Sequence, residues 1–207
     1  MTRGEDAAFA AELGAAYVGV IFAQSPRRLA PSAAKTVLDA AGKGVKRVGV
    51  FGTNAPDEIA KTAERVQLDV VQLHADPTGA DVIAVREFFP GEIWAAVRIG
   101  DEHLSEDLEG LFERADGIVL DAQAQHVLGG TGQPLPWSDL AGDLARVRGN
   151  YLVVLAGGLT PGNVGTATRT LAPDIVDVSS GVESGPGIKD RRLMTAFAAA
   201  VAGSPRH

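Results

Sequence analysis

Seven short segments of the chain are rich in Val, Ile and Leu, without a strict alternation of apolar and polar residues. Such runs are typical of strands that are buried on both faces of a parallel sheet. Between them apolar residues recur with helical spacing, as in Pro56–Val66, where Ile59, Ala63 and Val66 fall on one helical stripe. The predicted strands are residues 17–22, 46–51, 69–73, 93–98, 117–120, 151–155 and 174–178.

The order of the predicted elements begins and ends with a helix. Residues 5–13 and 191–201 have helical patterns, and Pro31, Pro56 and Pro161 stand where further helices are predicted to begin. Proline is favoured at the first helical position because its missing N–H costs no hydrogen bond there. The pattern thus predicts eight helices and seven strands, with a helix before the first strand.

Strands that alternate with single helices predict a parallel sheet, since each parallel connection needs a crossover. No linker or change of composition divides residues 1–207, so we expect a single domain. The fold class is α/β, and the favoured architecture is a (βα)8 TIM barrel whose first β-strand is missing from the chain. At 207 residues the chain is short for that fold, which takes about 250 residues. An open, doubly wound sheet of seven strands is the alternative.

The composition narrows the class of function. The formal net charge of −7 argues against a nucleic-acid partner or an anionic membrane surface, because both need a basic face. The chain has no cysteine, begins without the pattern of a signal peptide and has no apolar run of membrane-spanning length. We therefore expect a soluble, cytoplasmic protein. If this acidic protein binds an anionic ligand, the positive electrostatic potential must be confined to the binding site.

Two glycine-rich turns follow the last two predicted strands. Gly157-Gly158 precedes a predicted helix, and Ser180-Gly181 follows the next strand. Glycines let the backbone approach a phosphate, whose oxygens N–H groups can bind. The last two loops of many barrels hold a phosphate in this way. The alternative is that these glycines only permit tight turns.

Other strand ends carry ionisable side chains. Asp121 is either a general acid or base or a helix cap. Arg27 has the planar fork that binds a carboxylate, although a solvated surface arginine is the commoner case. His74 is either a site residue or a packed histidine, and a later loop, which contains Gly130-Thr131, is of the kind that closes over ligands. No spacing of His, Asp and Glu recommends a metal site.

These segments, in this order, resemble phosphoribosylanthranilate isomerase of tryptophan biosynthesis along nearly the whole chain. The matching stretches are Thr2-Arg3, Gly19-Val20-Ile21-Phe22, Ser25-Pro26-Arg27, Val48-Gly49-Val50-Phe51, Asp69-Val70-Val71-Gln72-Leu73-His74, Leu120-Asp121-Ala122, Gly129-Gly130-Thr131-Gly132, Leu155-Ala156-Gly157-Gly158-Leu159-Thr160-Pro161 and Asp177-Val178-Ser179-Ser180-Gly181-Val182-Glu183.

The resemblance implies an amino-acid biosynthetic enzyme that performs an Amadori rearrangement without a cofactor or metal. Its phosphorylated small-molecule substrate is N-(5-phosphoribosyl)anthranilate, and its product is 1-(2-carboxyphenylamino)-1-deoxyribulose 5-phosphate. Carried over, Asp121 is the general acid and Arg27 holds the anthranilate carboxylate. His74 and Asp177 line the mouth of the barrel. The backbone at Gly157, Gly158, Ser180 and Gly181 cradles the phosphate, and Gly130 and Thr131 belong to the loop over the substrate.

One departure from the family pattern is serious. The family's first strand carries Lys-x-Cys-Gly-x-Thr-Arg, whose cysteine thiolate is the general base, and this chain enters that motif at Thr2-Arg3. We therefore expect the 207-residue form to have little isomerase activity. Two alternatives stay open: a non-catalytic barrel that binds a phosphorylated metabolite, and another phosphosugar barrel enzyme. A monomer and a homodimer are both compatible with the sequence.

Overall fold

The computed structural model describes residues 1–98, 109–121, 141 and 149–203. In this part of the chain one helix precedes the first strand, and single helices separate most of the later strands. The helices are α1 (Gly4–Glu12), α2 (Pro31–Asp39), α3 (Pro56–Val66), α4 (Gly79–Arg86), α5 (Glu109–Phe112), α6 (Val164–Leu171) and α7 (Arg191–Ala202). The strands are β1 (Tyr17–Ile21), β2 (Lys46–Phe51), β3 (Val70–Leu73), β4 (Glu92–Arg98), β5 (Gly117–Asp121), β6 (Leu152–Ala156), β7 (Ile175–Val176), β8 (Glu183–Gly185) and β9 (Ile188–Lys189).

Strands β1 to β7 form one sheet in which neighbours in sequence are also neighbours in space. Every pair within it is parallel. A doubly wound sheet reverses its strand order at a switch point, and this sheet does not. Because crossovers between parallel strands are right-handed, an unbroken order places all helices on one side, and the sheet curls around its other side. The doubly wound alternative is therefore excluded.

Buried apolar side chains form two clusters on the two faces of this sheet. The larger cluster lies between the strands and the helices, and includes Leu38, Ile59 and Val66. The smaller cluster lies on the opposite face, which is the interior of the curled sheet. Its buried members are Val48, Val70, Trp94, Ala96, Val119, Val154 and Ala156.

Aromatic side chains fill the lower part of that interior. The rings of Tyr17 and Trp94 lie with their centroids 5.0 Å apart. A Cβ at Gly117 would stand 2.7 Å from the indole, so only glycine leaves room for Trp94 at that position. The interior is thus packed below its upper rim, which leaves no room there for a ligand inside the curled sheet.

Local signals set several helix ends. Pro56 stands at the start of α3, and Gln67 ends that helix with a φ of 60°. The Thr78 side chain accepts from the Asp81 N–H, while Asp81 accepts from the Thr78 N–H, which makes a capping box at α4. Asp190 caps α7 by accepting from the first-turn N–H groups of Arg192 and Leu193.

The sequence-based bounds agree closely with these elements. All seven predicted strands are present, with ends that differ by at most two residues, and β2 and α3 have the predicted bounds. The helix start at Pro161 is wrong, because residues 161–163 form a turn and α6 begins at Val164. The Asn163 side chain holds this turn, accepting from the Thr160 N–H and donating to the Gly158 carbonyl. The count of eight helices stays a prediction, since the described residues contain seven.

The beginning of the chain lies beside β1. The α-amino group of Met1 donates to the Gly19 carbonyl. The Leu29 N–H donates to the Ile21 carbonyl on the same edge of β1, which faces away from β2. Residues at the start of the chain therefore lie along the outer edge of β1. No helix in the described ranges is long and apolar enough to span a membrane.

Candidate active site

Side-chain alternation along the strands places several ionisable residues at the interior rim. Asp121 follows the interior residue Val119 by two positions, and Asp177 follows Ile175 by two. Successive strand residues point to opposite faces, so residues two apart share a face. The Asp177 N–H still donates to the Leu155 carbonyl at 2.8 Å, which keeps Asp177 in line with β7. Both carboxylates therefore lie above the apolar interior.

His74 bridges two polar neighbours on this rim. Its Nε2 lies 3.4 Å from Oδ2 of Asp121, and its Nδ1 lies 3.3 Å from Nε2 of the buried Gln72. Because an amide nitrogen donates, Nδ1 of His74 accepts and the ring proton resides on Nε2, toward Asp121. Gln72 thus fixes the orientation of an imidazole that presents an N–H to the proposed general acid.

Asp177 lies close enough to Asp121 for the charge of Asp121 to act on it. Burial raises the pKa of Asp177, and the charge of Asp121 raises it further, whereas the charge of Lys189 lowers it. Asp177 is an exposed residue, although many protein atoms lie around its carboxylate. The rim therefore combines two acidic side chains that are close enough for the charge of Asp121 to act on Asp177.

Arg27 lies in the turn after β1, where its N–H donates to Oγ of Ser25 at 3.1 Å. Its guanidinium binds Glu183 from the far end of the chain. Arg27 Nε lies 2.9 Å from Oε1 and 3.1 Å from Oε2, and Nη2 lies 2.6 Å from Oε2. The Arg27 side chain is 24% exposed and that of Glu183 is 4% exposed. Hydrogen bonds to Glu183 raise the pKa of Arg27.

Lys189 is the second cation on Glu183. Its Nζ lies 3.1 Å from Oε1 of Glu183 and donates to the Ser179 carbonyl at 2.8 Å. Burial by itself would raise the pKa of Glu183, but hydrogen bonds from Arg27 and the charge and hydrogen bond of Lys189 outweigh it and lower the pKa to about 2. Glu183 is therefore a carboxylate at any ordinary pH.

Sequence reasoning gave neither Glu183 nor Lys189 a role at the site. Glu183 stands only at the end of a matching motif, and Lys189 lies outside the matching stretches. The available signal was an ionisable residue two positions after the Ser180-Gly181 turn, with a lysine six residues later. That spacing is too common in surface hairpins to single out a buried pair.

The two glycine turns meet in space. Gly157 and Gly158 both have positive φ, of 82° and 62°. A Cβ at Gly181 would stand 1.8 Å from the Leu159 carbonyl oxygen, so the second turn packs directly against the first. Ser180 and Gly181 lie in a 3₁₀ turn that Ser179 precedes. Backbone from both turns thus forms one continuous surface.

The hairpin β8–β9 is fastened to the start of the chain. Thr2 donates through Oγ1 to the Gly187 carbonyl, and Arg3 donates to the Lys189 carbonyl at 3.3 Å. The buried Asp6 binds Arg3 at 2.8 Å and accepts from the Lys189 N–H at 3.2 Å. These contacts hold the backbone of Lys189 in place.

The structure thus brings most of the predicted site residues to one rim. Contacts run from Arg27 through Glu183 and Lys189 to the second glycine turn, at Ser179. The charges of Lys189 and Asp121 both act on Asp177. Gly130 and Thr131 lie outside the described residues. In the parts of the chain that are described, no group of three or more His, Cys, Asp or Glu could hold a metal ion.

Comparison with known proteins agrees with this arrangement. A model of the N-(5′-phosphoribosyl)anthranilate isomerase family matches residues 1–200. The isomerase of Rubrobacter xylanophilus is 41% identical over 201 residues, which cover 97% of this chain and 95% of that protein. The crystal structure of the Thermotoga maritima isomerase superposes with a TM-score of 0.85 at 35% identity, covering 98% of this chain and 96% of that one.

A further solved structure is of a phosphoribosylanthranilate isomerase in complex with reduced 1-(O-carboxyphenylamino)-1-deoxyribulose 5-phosphate. It superposes with a TM-score of 0.82 at 33% identity, covering 98% of this chain and 95% of that one. The family match along the chain, the close relatives and the shared fold lead to one conclusion. The chain belongs to the N-(5′-phosphoribosyl)anthranilate isomerase family of tryptophan biosynthesis.

Proposed function

We propose that this rim binds N-(5-phosphoribosyl)anthranilate and that Asp121 is the general acid of its Amadori rearrangement. The observation that carries the proposal is the continuous set of contacts that joins Arg27 to the two glycine turns through Glu183 and Lys189. A ligand that bears a carboxylate at one end and a phosphate at the other matches those two ends.

The phosphate end is assigned to the backbone of Gly157, Gly158, Ser180 and Gly181. Positive φ at both Gly157 and Gly158 and the close approach of Gly181 to Leu159 support this assignment. Successive N–H groups in such turns bind an anion, and the absence of side chains lets its oxygens come close.

The carboxylate end is assigned to Arg27. A guanidinium can bind one carboxylate through Nε and Nη2 and a second through Nη1 and the remaining Nη2 hydrogen. Glu183 takes the first of these edges. The second edge suits the anthranilate carboxylate.

The chemistry begins at Asp121. As the furanose C1–O4 bond breaks, Asp121 delivers a proton to the ring oxygen, and the electron pair on nitrogen forms the C1=N bond. A base then removes the C2 proton, which gives an enolamine, and tautomerisation yields the C2 ketone. His74 and Asp177 line the rim beside Asp121, where the His74 N–H orients the acid.

The base in this family is a cysteine of the first strand, and the 207 residues contain no cysteine. In a closed barrel, the additional strand that precedes α1 would pair along the edge of β1 that faces away from β2. The contact of the Met1 amino group with the Gly19 carbonyl lies on that edge and supports this placement. Strand loss would open a packed interior and leave unpaired backbone at two sheet edges.

The assembly state follows from the family only coarsely. Solved relatives include the dimeric Thermotoga maritima isomerase and monomers generated from it. We propose a monomer or a homodimer for this protein, acting on a phosphorylated small molecule without a cofactor.

A steady-state assay of anthranilate fluorescence tests the function. The 207-residue polypeptide is compared with one that is extended at its N-terminus by a strand carrying Lys-x-Cys-Gly. We expect turnover of N-(5-phosphoribosyl)anthranilate by the extended form and at least about 10²-fold less by the 207-residue form, because a general base contributes about that much. Matched assays with the substrates of histidine-pathway isomerases and of indole-glycerol-phosphate synthase distinguish other phosphosugar barrels. An extended, folded form that binds the reduced product but turns over none of the three substrates would favour a non-catalytic barrel.

A further inference from the structure

We propose that Lys189 is a positioning residue that keeps Arg27 able to bind an anionic carboxylate, by cancelling the charge of Glu183. The inference deepens the proposed function and rests on the assignment of the substrate carboxylate to Arg27. It gives a role to Lys189, a buried residue that does not itself contact the reacting atoms of the substrate.

Glu183 has two effects on Arg27. The Glu183 carboxylate accepts from Nε of Arg27 at 2.9 Å and from Nη2 at 2.6 Å, which fixes the plane of the guanidinium. The edge formed by Nη1 and the other Nη2 hydrogen keeps its donors for a second carboxylate. Glu183 therefore orients Arg27 for ligand binding, but it also brings a negative charge close to the place where the ligand's negative charge must go.

The formal charges of Arg27 and Glu183 alone sum to zero, so the negative charge of Glu183 weakens the attraction of Arg27 for an incoming carboxylate. Lys189, whose Nζ is 3.1 Å from Glu183, restores a net charge of +1 to the cluster. With side chains 3% and 4% exposed, Lys189 and Glu183 interact with little screening by solvent.

Other ionisable groups also lie near Lys189. The α-amino group of Met1 is one of them, but burial lowers its pKa to about 6, so it is mostly neutral above pH 7. Asp177 faces Lys189, but burial raises the pKa of Asp177, which favours its neutral form. Asp6, which accepts from the Lys189 backbone N–H, is already paired with Arg3 at 2.8 Å. The cation thus stays directed at Glu183. Its remaining hydrogen bond, to the Ser179 carbonyl, ties this charge to the phosphate-binding turn.

The test compares two ligands in binding calorimetry with the 207-residue protein. One is the reduced product, which bears a carboxyl group, and the other is the same compound with hydrogen in place of that group. The ratio is the Kd of the compound without the carboxyl group divided by the Kd of the reduced product. It measures the contribution of the carboxyl group alone. We expect Lys189→Met to reduce this ratio about tenfold, whereas Lys189→Arg keeps it within about threefold.

The double variant Lys189→Met/Glu183→Gln separates charge from structure. Removing both charges leaves the single charge of Arg27, so the ratio is expected to return to within about threefold of the original. A purely structural role of Lys189 predicts no recovery, because the second change disrupts the cluster further. Glu183→Gln alone raises the net charge to two and keeps a side-chain oxygen that can accept from Arg27, so it is expected to keep at least the original ratio.

Three outcomes would overturn the proposal: an unchanged ratio in Lys189→Met, no recovery in the double variant, or a tenfold fall in Glu183→Gln. The last two remain decisive if Lys189→Met does not fold. Arg27→Met serves as the reference. If Arg27→Met leaves the ratio unchanged, the proposed role of Arg27 fails, whereas an effect of Arg27→Met without one of Lys189→Met contradicts only the role of Lys189.

Discussion

Gly181 lies so close to Leu159 that a Cβ on Gly181 would stand 1.8 Å from the Leu159 carbonyl oxygen. The contact joins the two turns that we assign to the phosphate. Any side chain at position 181 must therefore push the turns apart, which changes the place where their N–H groups point.

The first prediction is that Gly181→Ala damages phosphate binding. We expect a loss of stability of about 1–3 kcal/mol from the overlap and at least a tenfold weaker Kd for the reduced product. Calorimetry and thermal unfolding provide the two measurements. Gly185→Ala in β8 is the matched control, because a Cβ there meets nothing within 4 Å. Equal behaviour of the two variants would remove the argument for a joined phosphate site.

The second prediction concerns Asp121→Asn. Asparagine keeps the shape of the side chain but cannot deliver a proton, so we expect kcat of the extended form to fall by about 10²–10⁴-fold. The Kd of the reduced product is expected to stay within about threefold. Asp116→Asn, just before the opposite end of β5, is the control and should leave kcat unchanged, since Asp116 binds Arg86 and the Ile93 N–H there. A kcat near the original in Asp121→Asn would require a different acid.

The third prediction follows from the lowered pKa of Glu183. Its pKa falls from an ordinary 4.5 to about 2, because Arg27 and Lys189 outweigh the effect of burial. The folded state thus binds this proton less readily than the unfolded state. The stability that Glu183 contributes is complete above about pH 4.5 and is lost as the pH falls toward 2.

Urea unfolding between pH 3 and 6 checks this dependence. The free energy of unfolding of the original protein should fall with decreasing pH more steeply than that of Glu183→Gln, which has no such carboxylate. Glu64→Gln, at an exposed position of α3, should match the original protein. Parallel curves for the original protein and Glu183→Gln would show that the cluster is not coupled to folding.

The fourth prediction is that Asp177→Asn stabilises the fold at neutral pH. Burial raises the pKa of Asp177, so the folded state favours its protonated form. That contribution is present below the ordinary pKa of 3.8 and is lost as the pH rises through the folded value. We expect Asp177→Asn to have a higher Tm than the original protein, with a difference that grows as the pH rises from 3 to 8. A difference that shrinks over this range would contradict the direction of the shift.

Much of the fold could be predicted from local patterns. The bounds of β2 and α3 follow from an apolar run and from a helical stripe behind Pro56, and both are confirmed. The predicted helix start at Pro161 is wrong because the Asn163 side chain binds the backbone of Thr160 and Gly158. These hydrogen bonds stabilise a turn in place of the first helical turn, and the presence of a proline does not reveal them. The position of Asp121 at the end of a predicted strand likewise made it a candidate site residue.

The charge cluster could not be predicted in this way. Arg27 and Glu183 are 156 residues apart, and their pairing depends on the return of the chain from β7 to the neighbourhood of β1. Residue patterns report which face a side chain occupies within one element. They do not report which distant element lies opposite, so Glu183 and Lys189 emerged only from the tertiary structure.

Asp121 and Asp177 share their face with Val119 and Ile175, and this alternation limits how the protein can change. Deleting a single residue from β5 would turn the carboxylate toward the helices and bring an aliphatic side chain to the rim. Substitutions can therefore change the side chains at the rim one position at a time. A one-residue deletion in a strand instead moves the rim residues to the core face and the core residues to the rim. We expect variation in length among relatives to be confined to the loops, even where the strand residues themselves differ.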